Sequence, residues 1–402
     1  MSVAQIFEER IDPDLQSRGI FHGYVPLTDV KTLLIKEGDY LLRLIEHYGQ
    51  LVCVLSVYHN GEVITVCVNR KDQMYFFNVD YKVRMEHLSI RNVQHSSVGS
   101  LLDWHRNTKT PLAEKQIILE NPVAFASWNL PSSSIAQLLG DIYGCYRMKS
   151  YEVIIYVEKQ KIHAAALLLT NKQLMVESKK QFLAEARILK ELSHPNILQF
   201  YGVIVTAVPL TMIVGLCKTN LLILLKKRKL RKDQKLRYVT EAAAALKYFT
   251  EKGYVHKTKN CLIDQNMTLK LANFCYAASD RCPPFIHQES LDNICTRWLA
   301  PETMLRHDFS KETDVWAFGV LNITSSFKMW EIYENGETPY RDLSNMEIRS
   351  YIIRSKKRLE LPKKAPIKVK KSMARCWEEK PSRRPTFQEL ETTLKGIKNK
   401  EL

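Results

Sequence analysis

The 402-residue chain lacks the long apolar runs of a membrane protein. No run approaches the roughly 18 residues that cross a bilayer, and the longest candidates are pieces such as Leu210 to Cys217. The N-terminus has no basic start followed by an apolar stretch, and Ser2 stands where myristoylation needs a glycine. We therefore expect a soluble intracellular protein of the cytoplasm.

Paired cysteines are absent too. The 9 cysteines are scattered from Cys53 to Cys376, and none stands in a C-x-x-C spacing. Neither a zinc site nor a disulfide framework is indicated, and reduced thiols agree with a cytosolic location. Internal repeats and low-complexity tracts are also lacking. With 45% hydrophobic residues, this length predicts two or three globular domains.

Acidic residues are scarce relative to basic ones. The chain has 43 Asp and Glu against 59 Lys and Arg, a net charge of +16. The excess is concentrated in four runs: Lys226–Lys229, Lys356–Arg358, Lys363–Lys364 and Lys368–Lys371. Two interpretations stay open, ordinary solvated helix faces or a surface that attracts an anionic membrane or an acidic partner. Nucleic acid is not expected as a partner.

Short apolar segments alternate with turns in the first hundred residues. The predicted strands are Tyr40–Ile45, Leu51–Tyr58 and Val63–Val68. Asn60-Gly61, which separates the last two, is a strong hairpin turn. Helical periodicity before and after these strands, at Asp29–Ile35 and Val98–Trp104, predicts a small antiparallel sheet between two helices.

A linker separates this domain from a second one. Periodicity is lost over Leu112–Ser134, which contains Pro122 and Pro131. The pattern is strand-like from Ile135 to Leu169, and helices dominate afterwards. The predicted helices are Gln181–Leu192, Lys235–Thr250, Glu312–Trp330 and Phe387–Ile397, and Asn322–Lys328 looks like an insertion. The predicted division is a first domain at 20–119, a linker at 120–134 and a second domain at 135–397.

Four blocks of the first domain carry a family resemblance. Phe21-His22-Gly23, Gly38–Arg43, Val54–Val57 and the helix ending near Trp104 together resemble an SH2 domain. The resemblance implies that Arg43 lies at the bottom of a pocket and grips phosphotyrosine through a bidentate fork that Lys cannot reproduce. Phosphotyrosine-containing proteins are then the expected partners. The alternative is an arginine that extends from a strand edge into solvent.

Three neighbouring positions depart from the SH2 pattern. Leu27 stands where relatives place a second arginine, Ile45 where they place a serine, and Thr65 where a histidine flanks the phosphate. Each lost charge-assisted bond is worth about 1.5–3 kcal/mol. We therefore expect a phosphotyrosine affinity weaker by one or more decades.

Five blocks of the second domain resemble a tyrosine kinase domain in order and spacing. They are Ala184–Leu189, Ser193–Ile197, Trp298–Glu302, Asp314–Gly319 and Arg384–Phe387. With the SH2-like blocks before them, the chain resembles the Fes/Fer family of cytoplasmic tyrosine kinases over Ile20 to Ile397. The resemblance implies a bilobal kinase fold and a family that uses ATP and Mg²⁺; for this chain no cofactor is certain, and ATP and Mg²⁺ stay open. It also implies that Glu302 pairs with Arg384, and that Asp314 and His256 brace the large lobe.

The residues that would perform the chemistry are replaced. An active kinase reads H-R-D, then an Asn, then D-F-G, because one Asp orients the substrate hydroxyl while the Asn and the other Asp hold magnesium. Thr258 and Asn273 stand at the two aspartate positions, and Asn260 alone remains as a metal ligand. Leu168 stands near the place of the strand lysine, so Glu185 has lost its usual partner.

The nucleotide contacts are reduced as well. The glycine loop is represented by Gly140 and Gly144 without the middle glycine that lets backbone amides approach phosphates. The segment from Gly215 to Cys217 matches the hinge, where adenine bonds to the backbone of any sequence. Phe285 replaces the activation-loop tyrosine.

We therefore predict a phosphotyrosine-binding signalling adaptor whose second domain is a pseudokinase, acting as a scaffold or as an allosteric partner of an active kinase. Two alternatives remain. One is a divergent active tyrosine kinase that uses Asp264, Asp280 or Lys172 as substitutes. The other is nucleotide binding without phosphate transfer.

Overall fold

The computed structural model describes residues 9–10, 19–47, 50–77, 93–112, 116–124, 126–143, 146, 148–157, 159–170, 176–257, 260–275, 277–279, 286–287, 291, 296–320 and 329–398. Contacts divide the chain into two compact units. The first contains residues 1–141, 148–180 and 201–213, and the second contains 142–147, 181–200 and 214–402. The boundaries at 20–119, 120–134 and 135–397 stay predictions.

The first unit begins with a sheet and two helices. Their bounds are β1 Glu9–Arg10, β2 Phe21–Tyr24, α1 Leu27–Leu33, β3 Asp39–His47, β4 Gln50–His59, β5 Glu62–Lys71, β6 Met74–Phe77, α2 Val98–Thr108 and β7 Asn121–Pro122. Strands β3 to β5 are antiparallel neighbours, as predicted, and β6, which was not predicted, pairs antiparallel with β5. The other edge of β3 differs from the prediction, because β2 and β7 both pair with it in parallel.

The hairpin and the two-sided packing follow from the sequence pattern. Asn60 and Gly61 have φ angles of 50° and 83°, the positive values that a two-residue hairpin turn requires. Leu42 packs in one buried cluster with residues of α2, and Leu41 packs in another with residues of α1. Because side chains alternate along a strand, Arg43 lies on the α1 side together with Leu41. The predicted arrangement of a sheet between two helices is thus present.

A second sheet completes the first unit. Its strands are β8 Ile135–Ile142, β9 Lys149–Val157, β10 Gln160–Leu168, β11 Phe200–Ile204 and β13 Thr211–Gly215. Along the chain, α3 Val176–Leu189 comes between β10 and β11, and β12 Ala207–Val208 comes between β11 and β13; most of α3 belongs to the second unit. The strand order is β11-β13-β10-β9-β8, and β1 pairs with β12. The strand-like pattern predicted from Ile135 to Leu169 is confirmed as three strands.

The two sheets of the first unit meet at a glycine. Gly23 has a φ of +60°, and a Cβ atom there would lie 2.1 Å from the carbonyl oxygen of Val205. The next amide, that of Tyr24, donates to the same carbonyl at 3.0 Å. Beside this contact, the Lys179 ammonium lies 2.6 Å from the Glu46 carboxylate and over the Tyr24 ring. Only a residue without a side chain allows this backbone approach.

The second unit is mostly helical. Its elements are β14 Cys217–Asn220, α4 Leu221–Lys227, α5 Lys232–Glu251, β15 Tyr254–Val255, β16 Asn260–Asp264, β17 Leu269–Ala272, β18 Ala278–Ser279, β19 Ile286–His287, α6 Pro301–Arg306, β20 Asp308–Phe309, α7 Lys311–Gly319, α8 Met329–Tyr333, α9 Asn345–Arg349, α10 Ile367–Cys376 and α11 Phe387–Lys395. Short 3₁₀ turns lie at Ser132–Ser134, Thr296–Trp298 and Pro381–Arg383, and a π-helical turn at Ser350–Arg354. In the portions of the chain described, no helix is long and apolar enough to cross a membrane.

The predicted helices are present with one correction. The continuous helix predicted over Glu312–Trp330 is wrong, because α7 ends at Gly319 and Val320 takes an extended conformation. That conformation breaks the hydrogen-bond ladder, and a separate helix, α8, begins at Met329. The predicted insertion at Asn322–Lys328 lies outside the described residues.

Candidate functional site

Among the residues that the structure describes, the partners of the buried Arg43 cation are neutral groups. Its side chain donates from Nε to Ser56 Oγ at 2.8 Å, from one terminal nitrogen to the Val25 carbonyl oxygen at 3.1 Å, and from the other to Thr65 Oγ1 at 3.3 Å. The residue is 6% exposed on a strand with neighbours on both sides, so it is not an arginine extending from an edge. In the described part of the chain, no carboxylate pairs with it.

The environment of Arg43 favours an added anion. Burial lowers the pKa of the Arg43 guanidinium, which means that the surroundings disfavour its charge, while Tyr24 opposes this effect. An arginine remains protonated at neutral pH even so. A buried charge without an opposite charge is costly. Binding of a dianionic phosphate would therefore relieve the cost and supply charge-assisted bonds.

The three positions that depart from the SH2 pattern lie around this arginine in different ways. Thr65 accepts from the guanidinium, so it supports Arg43. Leu27 begins α1 and is 43% exposed, and it has no polar group to offer a phosphate. Ile45 follows Arg43 on β3 and is partly buried. Ser56, which accepts from Nε on the adjacent strand, is a partner that the sequence did not single out.

The position of the strand lysine is apolar in the structure. Leu168 is 3% exposed and belongs to a buried cluster with Ala166 and Ile155. Glu185 nevertheless has a new partner: its Oε1 accepts from the backbone amide of Phe274 at 2.8 Å. The carboxylate that would orient a lysine therefore fixes the backbone of the N-F-C segment instead.

The metal-binding positions hold neutral amides. Asn273 has a φ of +64°, and its Oδ1 accepts from the thiol of Cys275 at 3.2 Å. Asn260 is 3% exposed at the start of β16, where it pairs with Ala272. Its buried Oδ1 accepts no hydrogen bond from the residues described. Thr258 lies outside the described residues.

The bracing contacts are present. Asp314, 1% exposed, accepts from the backbone amides of His256 at 2.7 Å and Lys257 at 3.2 Å. Arg384 donates to both carboxylate oxygens of Glu302, at 2.5 and 2.9 Å, and it is itself 6% exposed. A fork-to-carboxylate pair with two parallel bonds is strong and directional. These residues have a structural role that needs no ligand.

Two polar backbone atoms of the hinge segment, residues 214–217, are already paired with a side chain. The hydroxyl of Tyr146 donates to the Gly215 carbonyl oxygen at 2.7 Å and accepts from the Cys217 amide at 2.8 Å. Gly140 lies in β8, and Gly144 lies outside the described residues. Sequence reasoning missed Tyr146, whose partners lie 69 and 71 residues further along the chain.

Of the proposed substitutes, only Asp264 is described. Its Oδ1 accepts from the backbone amides of Asn266 at 2.9 Å and Thr268 at 2.8 Å, and its Oδ2 pairs with Lys270. These bonds are those of a turn residue, since Asp side chains commonly bond to the amide two residues on. Asp280, Lys172 and Phe285 lie outside the described residues.

The described residues do not fit a metal-bound triphosphate. Magnesium prefers oxygen ligands in an octahedral set that usually includes carboxylates, and Asn260 offers one free amide oxygen. No group of three or more His, Cys, Asp or Glu that could hold a metal occurs among the residues described. Leu168 supplies no charge for a phosphate. No step of phosphate transfer follows from these residues.

Comparisons with known proteins find kinase relatives for this chain. A family model of protein tyrosine and serine/threonine kinases matches residues 140–394. Human tyrosine-protein kinase Fer is 31% identical over 389 residues, which cover 94% of this chain and 44% of Fer. Fer-related kinase 1 of Caenorhabditis elegans is 29% identical over 402 residues, covering 96% of this chain and 95% of that protein. The Fps transforming protein of an avian sarcoma virus, strain PRCII, is 29% identical and is covered over 68% of its length. The chain thus spans less than half the length of human Fer.

Proposed function

The chain belongs to the family of protein tyrosine and serine/threonine kinases, among its Fer/Fps-type members, and from this we propose that it is a phosphotyrosine-binding signalling adaptor. The region of residues 20–119 is an SH2 domain in this proposal. The kinase-like domain is a pseudokinase that serves as a scaffold or as the allosteric partner of an active kinase. The protein acts in the cytoplasm, and its basic runs supply contacts to an anionic membrane surface.

The observation that carries the proposal is the buried, neutral-partnered guanidinium of Arg43. A structural arginine at this depth normally has a carboxylate, because an uncompensated buried charge is unfavourable. Arg43 has two hydroxyls and a carbonyl instead. Such a cation is suited to an anion that arrives from outside, and a planar fork suits a phosphate.

Binding to a phosphotyrosine peptide library tests the first half of the proposal. The intact chain should bind the phosphorylated library and not the unphosphorylated one. Arg43→Lys keeps the charge but loses the fork, so we expect at least a tenfold weaker affinity. Arg70→Lys is the matched control, since Arg70 is an exposed strand arginine that lies over Tyr75. Equal binding by wild type and Arg43→Lys would contradict the proposal.

Phosphate transfer tests the second half. The purified chain with ATP and Mg²⁺ should leave a tyrosine-rich substrate unphosphorylated, because a base and the charged phosphate contacts are each worth orders of magnitude in rate. Sustained transfer that Asn260→Ala abolishes would overturn the pseudokinase assignment.

A further inference from the structure

The Tyr146 hydroxyl occupies one backbone edge of the hinge segment. A single oxygen bridges the Gly215 carbonyl and the Cys217 amide at 2.7 and 2.8 Å. These two backbone groups belong to residues two apart in an extended stretch, from the end of β13 to the start of β14. Alternate residues of an extended chain face the same side, so the carbonyl and the amide form one binding edge.

The same edge suits a flat heteroaromatic ring. A ring that carries a donor beside an acceptor, as adenine does, would donate to the Gly215 carbonyl and accept from the Cys217 amide. The carbonyl oxygen has a second lone pair, but a backbone amide has one hydrogen to donate. Tyr146 and such a ring therefore compete for the Cys217 amide.

Because the Cys217 amide is buried, leaving it without a hydrogen-bond acceptor is costly in free energy. Cys217 is 3% exposed and Tyr146 is half-buried. A buried amide that loses its acceptor carries a desolvation penalty. Neither the tyrosine nor a ring can be displaced without a replacement acceptor at the Cys217 amide.

We propose that Tyr146 is a built-in latch on the hinge, which a purine-like ring must displace before it can bind. The inference rests on the proposed function, because it describes a kinase-like domain that is occupied by its own side chain. This inference concerns the adenine-binding backbone of the hinge, whereas the pseudokinase part of the proposed function rests on the loss of phosphate and metal contacts. The hinge is closed at the backbone, where any sequence could otherwise bind adenine.

Amide hydrogen exchange at Cys217 tests the contact directly. Tyr146→Phe keeps the ring and removes the hydroxyl, so the Cys217 amide should exchange about fivefold faster or more than in wild type. Tyr156→Phe is the matched control, since Tyr156 is a strand tyrosine that is 57% exposed. It should leave Cys217 exchange unchanged. Unchanged exchange in Tyr146→Phe would overturn the latch.

Adenosine binding without Mg²⁺ tests the consequence. Adenosine has no phosphates, so the absence of a phosphate-binding lysine near the position of Leu168 does not affect the comparison. Calorimetric titration should show at least tenfold tighter binding to Tyr146→Ala than to wild type. Equal affinities, or no binding by either protein, would overturn the inference. If Tyr146→Ala does not fold, the exchange result with Tyr146→Phe decides.

The failure of this inference is distinguishable from that of the proposed function. Phosphate transfer to tyrosine by wild type would contradict the pseudokinase assignment. Cys217 exchange that is insensitive to the Tyr146 hydroxyl would contradict the latch alone.

Discussion

Arg43 and Arg384 are equally buried, and the structure treats them in opposite ways. Each is 6% exposed. Arg384 has a carboxylate, Glu302, bound through two parallel hydrogen bonds. Arg43 has only neutral acceptors among the residues described. Burial alone therefore does not assign a role to an arginine. The partner does: a cation paired with a carboxylate is suited to bracing the fold, and we propose that a cation with neutral partners is suited to binding an anionic ligand.

Removing the paired arginine should have the largest effect on stability. Arg384→Met leaves the Glu302 carboxylate buried without its counter-charge, which costs about 3–5 kcal/mol. Denaturant unfolding of the intact chain measures the loss. Arg375→Met is the control, because the pair of Arg375 with Glu389 is exposed on both sides. Its effect should stay within about 0.5 kcal/mol. Equal effects of the two changes would remove the assigned bracing role of Arg384.

Adding one methyl group at Gly23 should have the next largest effect. Gly23→Ala places Cβ 2.1 Å from the Val205 carbonyl oxygen, a backbone atom that cannot rotate away. We expect a loss of about 1–3 kcal/mol by overpacking. Gly61→Ala also has a positive φ, but nothing lies within 4 Å of its Cβ position, so the difference between the two variants isolates the clash. Thermal unfolding of both variants measures it, and a Gly23→Ala protein no less stable than Gly61→Ala would refute the contact.

Removing the unpaired arginine should separate binding from stability. Arg43→Met deletes three hydrogen bonds to neutral acceptors, which lowers stability, and removes a buried charge without an opposite charge, which raises it. We expect the free energy of unfolding to change by less than about 1.5 kcal/mol, while phosphotyrosine binding is lost. Parallel measurements of unfolding and of peptide binding show whether Arg43 serves binding or stability. A loss as large as that of Arg384→Met would mean that Arg43 is structural.

His105 shows a third response to burial, because its surroundings favour the uncharged side chain. Replacing it should have the smallest effect on stability of the changes considered. Burial lowers its pKa from the usual 6.5; the bond to the Thr110 carbonyl opposes the shift, and nearby His95 adds to it. The unfolded chain then binds a proton that the folded chain resists. The stabilisation is complete above pH 6.5 and is lost as the pH falls toward the lowered value. The free energy of unfolding, measured from pH 7 down to pH 5, should fall less steeply in His105→Phe than in wild type. An identical slope in wild type and variant would contradict this.

Local patterns were enough to predict much of the fold and part of the site. Alternating apolar residues and Asn60-Gly61 predicted the hairpin, and the block around Arg43 predicted that this arginine lies on a strand. The position of that strand between two neighbours came from the structure. The end of α7 at Gly319 was not predicted, because the apolar periodicity continues past it. Tyr146 was missed for a different reason. Its partners, Gly215 and Cys217, lie 69 and 71 residues further along the chain, and no local rule relates a hydroxyl to so distant a backbone.

The depth of Cys217 also has a chemical consequence. Burial raises the pKa of its thiol to about 12, against a smaller opposing effect of Tyr146. The thiolate is the reactive form of cysteine, and a raised pKa keeps this thiol protonated and unreactive at neutral pH. Electrophilic compounds that are directed to a kinase hinge and rely on a cysteine for covalent attachment would therefore leave this protein unlabelled.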